Sequence, residues 1–543
     1  KQKTAYEIRN CDWSSDVCSS DLDASEIAQY TGARAAIQSQ TNPDLWFPDL
    51  ATKVTVSEDG LTYDVYLRKG ALWQVPTSVL EDPRHAWMKG DHEVTADDFK
   101  FGFEILQNTQ VGGRAAAYRS YYENWKDLEV VDAYHFRVHL SERRFISQSI
   151  ILGHEPAPRW LYRYDEDGKP FDDATWGEKF NTHWMNQLSV GAGPYRLVAW
   201  KPGEYLSFEA NPTWHNTRCQ PQVFSGIEMK VLKDQQSWLR RLKSHELDYT
   251  VVQPQQYLSE VKDKTPYLGE SNLKLKIHPE PSYFYIGWNQ ARPMFQDKRV
   301  RTALTLALDR QSLVDSVFAG LGKVTSGPFD QNADWYDQSI APLPYDPTRA
   351  AQLLDEAGWT DSDGDGTRDK MIDGKKVDFS FTLVVYGSSP EYDTLARVYA
   401  ETLDKLGIKM TAQPLEWSAQ LKKINERDFD AYTGAWVLPW EVDPRQVWHG
   451  SEADKPQSSN YIGFKNAEID KIIEDLGNTY DHAGRVALCH KFHAIIAEEQ
   501  PYTFFYQRTR AFLYWDYMNE PLFAKINPVR DARLFSFAAA PTR

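Results

Sequence analysis

Apolar positions alternate with polar ones at Leu61, Tyr63, Val65 and Leu67, and Val54 and Val56 precede them across Ser57-Glu-Asp-Gly60. A period of two with Asp-Gly between the halves predicts a half-buried β-hairpin. The period then lengthens. Thr95 stands before a helical stripe that includes Phe99, Phe103 and Leu106, with Asp98 at the reciprocal capping position and Val94 and Phe99 as a hydrophobic staple. A second hairpin is predicted from Tyr195 and Leu197 through Lys201-Pro-Gly-Glu204 to Leu206, Phe208 and Ala210, ending at Asn211-Pro212.

The middle of the chain opens with an aromatic strand, Pro281-Ser-Tyr-Phe-Tyr-Ile-Gly-Trp-Asn289. Asp297 caps the helix that follows, in which Val300, Ala303, Leu304, Ala307 and Leu308 recur at helical spacing. Asp309 caps the next, with Leu313, Val314, Val317 and Phe318 on one face and Gly320 as its left-handed stop. Asp346-Pro347 starts another, with Ala350, Leu353, Leu354 and Ala357 buried before Gly358. A strand near 379–385, a helix at 392–406, a strand at 408–415 and helices at 467–476 and 483–499 continue an alternation that favours an α/β lobe. After Pro501 an aromatic strand runs through 502–506 towards Trp515 and is predicted to cross back to the first lobe.

The strand, Asp297-Lys-Arg299-Val-Arg301-Thr-Ala-Leu, Leu308-Asp309-Arg310 and the following glycine resemble the signature of the extracellular solute-binding proteins of family 5. Pro48-Asp-Leu-Ala51, Val94 to Asp98, Gly191-Ala-Gly-Pro-Tyr195, Tyr345 to Trp359 and Ser459-Asn-Tyr461 stand in the same order as that family's landmarks. The resemblance implies a two-lobed α/β periplasmic-binding-protein-like fold. Lobe I would comprise 23–286 and 508–543, with an inserted subdomain at about 60–185, and lobe II would comprise 287–507. It further implies a receptor that closes about a hinge near Ile286, Gly287 and Tyr506 and passes its solute to the permease of an ABC importer.

Length and charge agree with this. A chain of 543 residues exceeds one ordinary core. Its net charge of -16 argues against nucleic acid and anionic membrane surfaces as partners. No apolar run is long enough to span a bilayer, and no signal segment opens the chain. Residues 1–22, with their repeated Ser-Ser-Asp, resemble translated sequencing-adapter read-through and are set apart as a non-native tail. The expected setting is periplasmic or extracellular and membrane-tethered, and the expected state is a monomer. Cys11 and Cys18 fall in the tail, and Cys219 and Cys489 are taken as free thiols.

Candidate chemistry is sparse. Asp361, Asp363, Asp365 and Asp369 follow part of a calcium-loop pattern, but Ile372 stands where the bidentate Glu belongs, so a plain surface turn is expected. Cys489, His490 and His493 share a predicted helix and read as part of its ordinary faces, so no metal or cofactor is expected. Phosphate-loop, nucleophile-elbow and His-Glu-x-x-His motifs do not occur. The expectation is a receptor, with a carbohydrate-active enzyme as the rival from another class.

Trp417 and Trp436, nineteen residues apart, fall at the ends of predicted neighbouring elements, where α/β lobes bind ligands. The resemblance implies that they line a peptide pocket; a core role is the competing reading. Peptide-binding relatives carry an Asp three residues after the second Trp, to hold the ligand's ammonium, whereas this chain has Pro439. Leu438, Trp440, Glu441 and Asp443 therefore join the candidate ligand contacts, with Glu441 or Asp443 replacing the missing carboxylate. Ile424 and Thr433 stand where basic residues would meet a ligand carboxylate. Peptide leads as the solute, and an oligosaccharide or modified peptide is the alternative.

Overall fold

The structure is a computed structural model and describes residues 3–8, 27, 30–39, 42, 44–201, 204–217, 222, 224–231, 236–262, 272–387, 389–456 and 458–518. The fold is two-lobed α/β, with several sheets and an all-antiparallel subdomain.

The first hairpin forms as expected. Ala51–Val56 pairs with Thr62–Leu67, and Gly60 holds the left-handed φ of +71° that its turn requires. His135–Leu140 and Trp125–Asp132 complete a four-stranded sheet. Val65, Phe136 and Val138 are buried beneath Phe99 of the helix Ala96–Gln107. That helix starts at the predicted capping box, where Thr95 N donates to Asp98 Oδ2 over 2.9 Å.

The body of the first lobe is a sandwich. One sheet runs Lys3–Ile8, Gly226–Val231, Tyr205–Ala210, Tyr195–Lys201. The other runs Tyr249–Val252, Tyr506–Trp515, Leu273–Pro279, with Gly322–Val324 also paired to Tyr506–Trp515. Phe208, Ile227, Phe512 and Tyr514 fill the space between them. Lys3–Ile8, within the stretch set apart as a non-native tail, forms the outer strand of the first of these sheets. It pairs in parallel with Gly226–Val231, and its backbone covers what would otherwise be an open sheet edge. The rest of that tail, Cys219 and residues 519–543, expected to end lobe I, lie outside the described residues.

The second lobe is built on a five-stranded sheet in the order Lys409–Leu415, Ser380–Tyr386, Ala431–Val437, Ser282–Trp288, Tyr502–Phe504. One face packs Phe284, Ile286, Trp288, Leu383 and Val385 against helices Lys298–Leu306, Pro347–Glu356 and Pro390–Lys405. The other packs Tyr283, Tyr285, Val384 and Tyr432 against helices Ala467–Asn478 and His482–Glu499. The sheet is mixed, with two parallel and two antiparallel pairings, and both its faces are covered. Gly434 leaves room for this packing, since a Cβ there would meet Tyr285 Cζ at 2.7 Å.

The landmark arginines act inside this lobe. Arg301 donates to the carbonyls of Phe295, Gln296 and Glu499, which anchors its helix to the end of helix His482–Glu499. Arg310 donates to Phe504 O and Thr325 O. Burial holds both guanidinium groups down to about 10, and the carbonyl dipoles compensate for the water they have lost. Asp297, Asp309 and Asp346 cap their helices as expected, accepting from the backbone N–H of Arg299, Ser312 and Arg349.

Candidate functional site

The chain changes sheets twice. It leaves Leu273–Pro279 and enters Ser282–Trp288 across Glu280-Pro281, and it returns from Tyr502–Phe504 to Tyr506–Trp515 across Phe505. Ala431–Val437, Ser380–Tyr386 and Lys409–Leu415 are mutually parallel. Val437 lies opposite Ser282, so the carboxyl ends of these strands open on the edge where the lobes are joined. This is where α/β sheets place ligands.

Trp436 is the penultimate residue of its strand and stands on that edge, half-buried. Its indole stacks on Tyr461 with ring centroids 6.1 Å apart and planes 5° apart, and its Nε1 donates to Tyr502 Oη over 3.5 Å. Trp417 opens the helix Trp417–Asn425 at the same edge of the sheet, but strand Ser380–Tyr386 separates the two strands. Trp417 also packs against the opposite face of the sheet from Trp436. The two tryptophans are thus not side by side. Thr433 and Ile424 are buried, Gln420 Nε2 donates to Thr433 O over 2.8 Å, and neither position brings a cation to the edge.

Beyond Trp436 the chain runs along the side of the second lobe that meets the first. Leu438 N donates to Pro281 O over 2.7 Å, extending the pairing to the crossover. Trp440 Nε1 donates to Asp44 Oδ1 over 2.9 Å. Glu441 is desolvated, which raises its carboxyl above the usual range against a hydrogen bond with Ser149 and the charge of Arg485. Asp443 accepts from Arg445 N over 3.0 Å, and burial raises it too against Arg445, Arg144 and Arg485. Asp44, Ser149 and Arg144 belong to the first lobe, so Trp440, Glu441 and Asp443 are engaged where the two lobes meet. Pro439 is exposed.

Four further contacts close this side. Tyr121 Oη donates to Gln446 Oε1 over 2.9 Å, and Gln446 Nε2 donates to Ser459 Oγ over 2.8 Å. Lys455 Nζ pairs with Glu123 over 2.8 Å. Phe145 meets Arg485, whose guanidinium carbon lies 3.5 Å from the ring centroid. The Ser459-Asn-Tyr461 landmark was the available signal for Ser459 and Tyr461. Nothing in the sequence pointed to Tyr121, Phe145 or Arg485.

Ile286 and Gly287 lie within strand Ser282–Trp288, opposite Thr433 and Tyr432 on one side and Thr503 and Tyr502 on the other. Tyr506 opens the return strand. At the crossovers, Glu280 is buried between Arg508 and Arg510.

The metal-like sequences are occupied by the protein itself. The Asp361 carboxylate accepts from the backbone of Gly364, Asp365 and Gly366. Asp361, Asp363 and Asp369 gather within 4.8 Å of one another, but Lys376 pairs with Asp363 and reaches Asp369 at 3.8 Å. Cys489 is buried as a free thiol and pushed up to about 12 by desolvation. His493 accepts from Asp337 N and bonds Ser326 Oγ, and burial holds it at about 4. His490 instead bonds Asp334 O.

Comparison with known proteins accounts for this architecture. A sequence model described as bacterial extracellular solute-binding proteins, family 5, matches residues 46–456. The oligopeptide-binding protein AppA of Bacillus subtilis is 31% identical over 464 residues, covering 84% of this chain and 77% of that protein. The structure of AppA from Bacillus subtilis in complex with a nonapeptide superposes with a TM-score of 0.80 at 26% identity, covering 99% of this chain and 100% of the other. The dipeptide-binding protein of Escherichia coli is 23% identical over 465 residues, covering 84% of this chain and 79% of that protein. Matched by that model over most of its length, the chain belongs to the bacterial extracellular solute-binding proteins of family 5.

Proposed function

We propose that this receptor, working outside the cytoplasm, takes up peptides between its lobes and delivers them to an ABC importer. The observation that carries this reading is the half-exposed Trp436–Tyr461 stack at the strand ends, facing the other lobe beside the Tyr121–Gln446 bridge. The related oligopeptide-binding protein and its nonapeptide complex support peptide as the class. Backbone hydrogen bonding with roomy aromatic pockets suits varied side chains. Its family is one of solute receptors, not enzymes.

Trp436 and Leu438 are the proposed contacts nearest the solute, with Trp417 flanking the same edge; Trp440, Glu441 and Asp443 act by fitting the lobes together around it. Closure would turn about the crossovers at Glu280-Pro281, five residues before Ile286, and at Phe505, beside Tyr506; Ile286 and Gly287 themselves sit inside the second lobe's sheet. Pro439 and the engagement of Glu441 and Asp443 favour a solute that needs no carboxylate for its amino end here, such as a longer or modified peptide. Native mass spectrometry of protein purified from its host tests the reading. Co-purified peptide masses are expected, and a bound glycan or turnover of glycosides would overturn it.

A further inference from the structure

The segment Arg143-Arg144-Phe145 leaves the subdomain just beyond strand His135–Leu140 and docks on the second lobe at the end of helix Ala467–Asn478. Phe145 N donates to Gly477 O over 2.8 Å, satisfying one of the last-turn carbonyls that a helix cannot satisfy itself. The Phe145 ring lies under Arg485, 3.5 Å from its guanidinium carbon. Arg485 is buried and held by Leu476 O at 2.7 Å and Val442 O at 2.6 Å. One guanidinium therefore joins the helix end, the loop beyond Trp436 and the opposite lobe. Arg143 lies over the Tyr480 ring, 4.3 Å from its centroid. Arg144 bonds Glu142 of its own segment, Nε to Oε1 over 2.6 Å, and adds its charge to the field around Asp443 and Glu474. Two cations next to a helix carboxyl end also complement its dipole.

We propose that Arg143, Arg144 and Phe145 form a latch that keeps the lobes closed in the absence of solute, so that solute affinity depends on residues outside the Trp436–Tyr461 wall. Every latch contact joins two protein groups, and none needs a guest to be made. A solute that prefers the closed state binds more tightly in proportion to how far closure is already favoured. A desolvated cation–π contact of this kind shifts such an equilibrium by about tenfold. The latch goes beyond the proposed function, on which it rests only for the identity of the solute as peptide.

The test uses the full chain, stripped of bound solute by unfolding and refolding, and compares it with Phe145→Ala and Arg144→Glu. Phe145 is half-buried and outside the subdomain core, and Arg144→Glu sets an acid beside Glu142 and reverses the charge felt by Asp443 and Glu474, so the second variant keeps the test valid if the first folds poorly. Small-angle scattering and an inter-lobe fluorescence distance should show a compact wild type. Both variants should be more open, with the closed-to-open ratio down about tenfold and circular dichroism unchanged. A stripped wild type as extended as the variants, or variants as compact as the wild type, would overturn the latch. Titration with a mixture of synthetic nonapeptides separates the two readings: a compact wild type that binds none of them keeps the latch and rejects peptide as the solute.

Discussion

Glu280 on the outgoing crossover accepts from Arg508 on the return, with Nε at 2.9 Å and Nη2 at 2.7 Å from Oε2. Arg510 reaches the other carboxylate oxygen, and Gln507 Nε2 donates to Glu280 O over 2.7 Å. One buried carboxylate thus binds the two chain segments that join the lobes, and the pivot is fixed by charge as well as by backbone pairing.

Replacing Glu280 with Gln removes the carboxylate charge that Arg508 and Arg510 share. Removing one partner of a buried ion pair costs about 3–5 kcal/mol. The expected result is a lowered urea midpoint, and an unchanged midpoint would show that the pair is not structurally needed.

Trp436→Ala removes the ring stacked on Tyr461 at the strand edge. If a solute group packs on this indole, an aromatic contact is worth about 0.5–1.5 kcal/mol beyond its buried area, so solute affinity should fall by roughly tenfold once the lost contact area is included. Titration calorimetry against the co-purified solute reads this directly. Trp417→Ala, on the other face, should weaken binding less.

His154 and His493 are both buried neutral and held at about 4. Tyr122 Oη faces His154 Nδ1 at 3.2 Å, and Phe99 O accepts from Nε2 at 3.0 Å. The unfolded chain protonates its histidines near their usual value of about 6.5, so the unfolded state binds more protons between about 6.5 and 4. The stability these groups contribute is complete above that window and falls through it, by about 1.4 kcal/mol per pH unit for each histidine. Unfolding midpoints between pH 7 and 4 should decline less steeply in His493→Gln than in the wild type.

Lys376 holds the place a cation would take among Asp363, Asp369 and Asp378, at 3.8 Å from Asp369 and 3.4 Å from Asp378. Calcium titration should leave the melting temperature unchanged in the wild type. A clear rise would show that the ion displaces the ammonium.

Much of the fold was legible because its signals are local. Asp297, Asp309 and Asp346 cap helices through amides two or three residues away, and Asp59-Gly60 turns its hairpin within four residues. Such arrangements depend on neighbours in the chain, which the sequence displays. The edge position of Trp436 was legible for the same reason, being the end of a strand whose period could be read.

Its relation to Trp417 was not. Both stand at strand ends, but strand order is settled by which strands pair, and Ser380–Tyr386 lies between their strands. The loop beyond Trp436 showed carboxylates and an indole without their partners, because Asp44, Ser149 and Arg144 come from far along the chain. Tyr121 and Gln446 are separated by 325 positions.

The sequence by itself determined the elements, the alternation that makes an α/β lobe and the landmarks of a solute receptor, since periodicity, caps and turns are short-range physics. Only the tertiary structure decided which polar groups meet between the lobes and which face of the sheet each tryptophan takes, because desolvation, strand order and long-range hydrogen bonds exist only once distant segments are brought together.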